Sequence, residues 1–311
     1  MFPFRSSSVF LARKQTLISG NHILPANKWR FDPHCEPFAT LESHATLHLP
    51  SSVLGTDMAP AAQVFCKLPF KRLTGSKMHH PPEFYKRFKI EETMKTMGFT
   101  YGSQLDPFVL DLNETILRRL DASARGGAET KVDYLAEALL KICGFDDGTF
   151  EITGMDKQRF DLFGRQCGAV PDHTVILSPK GDLVLVCEDK QKVKKTDFVG
   201  KQGHLGQIMC ELLQILSLNL KAKHPVIRNV FALRMINYHV ACFRIDPIED
   251  TLKKLVNVKT KTTPTFSDGA KLTLLCNVEN PEKRYGYSLI KPTERTKACQ
   301  LLTDIRSFIL V

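Results

Sequence analysis

Nowhere does an uninterrupted apolar run approach the ~20 residues that span a bilayer, so no transmembrane helix and no membrane partner are expected. The chain has no Gly-x-x-x-x-Gly-Lys-Ser/Thr loop and no Gly-x-Gly-x-x-Gly fingerprint, so neither an NTPase nor a dinucleotide-dependent transferase has a motif behind it. Its nine cysteines are an odd number, widely spread, and none forms a Cys-x-x-Cys pair. A disulfide framework and a zinc site both lack the spacing they need. Cys143, Cys187, Cys210, Cys242 and Cys276 fall inside apolar runs and read as small core residues of a protein in a reducing compartment. No internal repeat is visible.

Acidic residues are also absent from the beginning: none precedes Asp32, whereas Arg5, Arg13, Lys14, Lys28 and Arg30 do. With Ser6, Ser7 and Ser8, this composition fits either a mitochondrial presequence or a basic tail. An intracellular location follows, in the mitochondrion or the nucleus. From 33 to 82 Pro, His and Ser are scattered without a sustained period. Residues 1–80 therefore read as a poorly ordered basic leader and linker. The formal charge of +10 makes a polyanionic partner plausible, and the hydrophobic fraction of 43% is that of a folded chain.

Periodicity begins near Pro82. Helices are expected over 83–97 and 107–120, the second with a stripe of Val109, Leu110, Leu112, Ile116, Leu117 and Leu120; together they make a helical N-terminal extension over 81–125. A stronger helix spans 128–143, with Val132, Leu135, Ala136, Leu139, Leu140 and Cys143 on one face and Gly144 as its stop. Glu129 falls at the edge of that apolar arc. A strand is expected at 150–153, and 161–164 is expected to extend it or pair with it. A long helix covers 205–220, strands follow at 230–236 and 240–245, then a helical stretch at 248–256, a strand at 271–276 and a terminal helix over 293–309. Helix, three strands, helix and two strands predict an α/β fold of three layers, with a mixed central sheet flanked by helices.

The chemistry concentrates in one β-hairpin. Residues 171–177 and 182–190 are apolar, β-branched runs around Ser178-Pro179-Lys180-Gly181. Alternation puts Val184, Val186, Glu188 and Lys190 on one face of the second strand and Leu185, Cys187 and Asp189 on the other. Asp172 starts the antiparallel partner strand, at the same end of the hairpin as Glu188 and Lys190. Cleaving a phosphodiester takes a hard divalent cation on oxygen ligands and positive charge beside the developing phosphorane. Asp172 and Glu188 can supply metal oxygens, with the Cys187 carbonyl as a further ligand, and Lys190 can orient water or stabilise transition-state charge. Over 191–228, seven basic residues stand against only Asp197 and Glu211. Lys192, Lys194, Lys195 and Lys201 are placed to meet a substrate backbone.

Pro171-Asp172 followed by Glu188-Asp189-Lys190 resembles the PD-(D/E)xK signature of the restriction-endonuclease-like superfamily. Its layout is also similar to the nuclease-like domains of Crinkler-type effectors of fungi and oomycetes. The resemblance implies a restriction-endonuclease-like core over 128–245 within a domain spanning 126–311. It further implies a catalytic glutamate on the first core helix, matched by Glu129 as holder of a metal-bound water or second ion. A glutamine on the second helix is matched by Gln207, positioned to hydrogen-bond a phosphate. The expected activity is metal-dependent (Mg2+ or Mn2+) hydrolysis of nucleic-acid phosphodiesters, with DNA favoured over RNA. The alternative is a nucleic-acid- or protein-binding module that keeps the fold without turnover.

Overall fold

A computed structural model of the chain describes residues 57–70, 82–101, 104–126, 128–154, 158–162, 165–190, 203–221, 230–246, 271–275 and 286–310. Helices α1 (Pro60–Lys67) and α2 (Pro82–Met97) lead through a short ladder, β1 (Thr100–Tyr101) with β2 (Gln104–Leu105), into α3 (Pro107–Ala124) and α4 (Thr130–Ile142). Then come β3 (Phe150–Thr153), the pair β4 (Gln158–Leu162) and β5 (Arg165–Ala169), β6 (His173–Leu177) and β7 (Asp182–Lys190). Helix α5 (Gly203–Lys221), β8 (Phe231–Ile236), β9 (His239–Asp246), β10 (Lys271–Leu274), β11 (Tyr287–Ser288) and α6 (Pro292–Leu310) follow. The basic leader and the helix expected over 248–256 lie outside the described residues.

The main sheet runs β10-β9-β8-β7-β6-β3, and β11 adds to β9. Neighbours on this path are antiparallel except β7 and β8, which are parallel and joined through α5. A parallel pair needs such a crossover, because a tight turn cannot reverse the chain twice. The α/β class is therefore as expected: a mixed sheet with helices against it. Alternation separates its two faces. Leu185 and Cys187 of β7 and Leu233 and Met235 of β8 share a core with Val132, Leu135 and Leu139 of α4. Val186 and Ala232, in between and also buried, face the side on which α5 packs. Each buried Val, Leu or Met among them contributes about 1.5–3 kcal/mol by leaving water.

Local signals fix the helix ends near the site. Asp106 accepts hydrogen bonds from the N–H groups of Phe108 (3.0 Å) and Val109 (3.2 Å), capping α3, with Pro107 as its first helical residue. Gly144 ends α4 at φ +85°, and the Gly144 and Phe145 N–H groups donate to the Lys141 and Leu140 carbonyls.

Two expectations change. Residues 161–162 belong to β4, which pairs with β5 and not with β3; the flank of β3 is filled by β6. Within the stretch read as an unordered linker, α1 is built into the core, with Ala62, Val64, Phe65 and Leu68 fully buried. Its anchor is Arg295 of α6. That side chain is itself buried and donates to the carbonyls of Phe65 (2.7 Å), Leu68 (2.9 Å) and Leu289 (2.7 Å), with its guanidinium over the Phe65 ring. Burial lowers the Arg295 pKa to about 10, which leaves it charged at neutral pH. A helix this short is marginal by itself; the guanidinium that anchors it lies 230 residues away along the chain. Cys143, Cys187 and Cys242 are buried free thiols, joined by Cys66 and Cys299; the side chain of Cys210 and all of Cys276 lie outside the described residues.

Candidate metal centre at the open end of the hairpin

The β6–β7 register pairs His173 with Cys187, and just beyond that pair the Asp172 N–H donates to the Cys187 carbonyl (3.0 Å). The Asp172 side chain then extends the ladder: its Oδ2 accepts the Asp189 N–H at 2.7 Å. Asp172 is thereby held across the end of β7, and Asp189 is fixed in the strand. Because Asp189 shares a face with Cys187, and Cys187 opposes His173, all three side chains turn to the sheet face covered by α4. There the first turn of α4 presents Asp133. The His173 Nε2 lies 2.6 Å from Asp133 Oδ1 and 3.2 Å from the Asp133 carbonyl oxygen. Ligand atoms of Asp133, His173 and Asp189 all fall within 4.8 Å of one another.

Exposure grades across this group. Asp189 is fully buried and forms the floor, while the side chains of His173 and Asp133 keep 13% and 32% of their exposure, so solvent reaches the cluster from one side. The Cys187 thiol, buried beneath, donates to Asp189 Oδ1 at 3.5 Å. Burial pushes the Asp189 carboxyl well above the ordinary range and the Asp172 charge adds to it, against the opposing pull of His173. Burial lowers the His173 imidazole, but the Asp133 hydrogen bond and the charges of Asp133 and Asp189 outweigh it and hold it at about 9. Without a cation, then, the group keeps protons that offset its own negative charge.

The chain matches no known protein family, no curated protein and no solved structure. The site therefore has to be read from its own geometry.

Of the residues expected from sequence, Asp172 and the Cys187 main chain do meet at this point. One lone pair of the Cys187 carbonyl is committed to the Asp172 N–H, which limits its use as a ligand. Glu188, one residue before Asp189, turns to the opposite face, where it is 1% exposed and opposite Arg234 in the β8 register. The residue that meets the Asp172 side chain is Asp189, through its N–H. Glu129 is not among the residues grouped at this point. It is the exposed residue immediately before α4, without a side-chain cap hydrogen bond, and Asp133, one turn later, is the acid that reaches the sheet. Lys190 ends β7, opposite Ile236, and Gln207 lies in the first turns of α5; the side chains of both are outside the described residues, as are Lys192, Lys194, Lys195 and Lys201. Sequence reasoning missed Asp133 and His173. Asp133 carried a signal, since its place on the flank of the α4 apolar arc is the position from which a side chain reaches a neighbouring sheet.

Proposed function

We propose that the chain is a metal-dependent phosphodiesterase acting on nucleic acid, with its centre at Asp133, His173 and Asp189 and with Asp172 bracing it. The observation that carries this reading is the convergence of two carboxylates and an imidazole within 4.8 Å at the end of the hairpin. The donor set suits a divalent cation once the protons it holds are released: two carboxylates and an imidazole over a buried floor, open to solvent on one side. A bound cation there would polarise a phosphoryl oxygen and lower the pKa of water. Asp133 orients His173 through its carboxylate, and Asp172 fixes the end of β7 through the Asp189 N–H. Lys190 ends the same strand, one residue past Asp189 and so, by the two-residue period, not on the face of this centre. Lys192, Lys194, Lys195 and Lys201 follow it in the chain and would neutralise the flanking backbone.

The order α4, β3-β6-β7 meander, α5, then β8 parallel to β7 supports a restriction-endonuclease-like core. Asp189, directly before Lys190, departs from the spacing of that signature, which Glu188 keeps. A second reading is favoured by one observation: His173, held at about 9, already brings a positive charge to the two carboxylates. In that reading the chain keeps the fold as a nucleic-acid-binding module without turnover.

Incubating the purified protein with end-labelled single- and double-stranded DNA and RNA separates the two. Products that require Mn2+ or Mg2+ and vanish with chelator support the enzyme. Tight binding with no cleavage under any metal leaves the module.

A further inference from the structure

We infer that the cation held at Asp133, His173 and Asp189 is a first-row transition dication of the Co2+ and Zn2+ class, and that Mg2+ binds there weakly. The inference rests on the metal-centre reading above and sharpens it, because the expectation from sequence is Mg2+ or Mn2+ on oxygen ligands alone. The deciding residue is His173, whose ring the fold aims at the cluster. Its Nε2 approaches both oxygens that Asp133 offers, at 2.6 and 3.2 Å. Its position opposite Cys187 in the ladder fixes the ring beside Asp189. No rearrangement of the backbone is needed to bring a nitrogen donor into the ligand set.

Donor chemistry then sets the preference. Mg2+ takes oxygen ligands in near-ideal octahedral geometry and gives up water reluctantly. An imidazole in place of an oxygen lowers its affinity, whereas transition dications gain from nitrogen in the order Mn2+, Co2+, Zn2+. The surroundings reinforce this. Asp189 sits on a fully buried floor and accepts the Cys187 thiol hydrogen at Oδ1. Such an outer hydrogen bond fixes the direction in which the carboxylate presents its oxygens.

The test is metal titration of the full chain, stripped with chelator and kept reduced, at one fixed pH. Wild type, His173→Asn and Asp189→Asn are compared with Mg2+, Mn2+ and Co2+; Asp189→Asn identifies any cation bound elsewhere. Wild type should bind Co2+ at least ~100-fold more tightly than Mg2+, with Mn2+ between. In His173→Asn that gap should shrink to under ~10-fold through weaker Co2+ binding, with Mg2+ affinity little changed. Pulsed EPR of Mn2+-loaded wild type should show imidazole nitrogen coupling, a readout that does not depend on any variant folding. Equal Mg2+ and Co2+ affinity in wild type, or Mn2+ bound with no nitrogen coupling, overturns the inference; cleavage supported by Mg2+ alongside would leave the phosphodiesterase reading intact. Absence of any cation removed by Asp189→Asn overturns both.

Discussion

Replacing His173 by Asn should change how stability depends on pH, in a direction set by the ion pair it makes. The imidazole is held at about 9 against an ordinary 6.5. At about 1.4 kcal/mol per pH unit, that difference corresponds to about 3 kcal/mol of stability while His173 is charged. Only 13% of the His173 side chain is exposed, so solvent screens the pair weakly. A folded-state value raised above the unfolded one makes the contribution complete below about pH 6.5; it is lost progressively as the pH rises to about 9 and beyond. Urea unfolding in chelator, at about pH 6 and about pH 9.5, measures it for wild type and His173→Asn. The gap between the two proteins should narrow by about 3 kcal/mol from the lower to the higher pH. Comparing the two proteins at each pH cancels, to first order, the titration of groups both retain. A gap that stays constant across the range would refute the His173–Asp133 pairing.

Other consequences can be checked separately. Arg295→Met removes the guanidinium donor from the Phe65, Leu68 and Leu289 carbonyls and should cost at least about 3 kcal/mol in urea unfolding, with protease cleavage appearing first near α1. Gly286→Ala would place a Cβ 1.9 Å from the Val240 oxygen at a residue with φ +101°; a loss of more than about 3 kcal/mol is expected, read as a lowered melting temperature. Asp133→Asn should weaken Co2+ binding by ~10-fold or more, while Glu129→Gln changes it less than ~3-fold, because only Asp133 faces the cluster.

The hairpin, α4 and the helix α5 between two parallel strands were legible because each carries a clean period, 2 or 3.6, and ends in a turn signal such as Gly144 or Gly181. Asp172 was legible for a related reason: an acid immediately before an apolar strand stands out against its neighbours. The choice between Glu188 and Asp189 was not legible. Period two says only that they oppose each other, and which face meets α4 depends on tertiary packing. The register shift between Val175 and Ile176 shows why counting along β7 is unsafe: the ladder pairs Val175 with Leu185 but Ile176 with Leu183, leaving Val184 as the extra residue. Glu129 and Asp133 posed the same problem in helical form, one turn apart on one helix. Helix α1 was missed because its eight residues give barely two turns of apolar periodicity, and what holds them is Arg295 and the core.

The most direct test of the central claim sets two neighbouring carboxylates against each other. Metal-dependent cleavage of labelled oligonucleotides is measured for wild type, Asp189→Asn and Glu188→Gln, with circular dichroism confirming that each is folded. Removal of a charge that holds the cation should cost ~100-fold or more in rate, so Asp189→Asn is predicted to be almost inactive. Glu188→Gln should stay within ~10-fold of wild type, since its side chain turns to the other face of the sheet. Activity retained by Asp189→Asn and lost in Glu188→Gln, or a wild type that cleaves nothing with any divalent metal, would contradict the account.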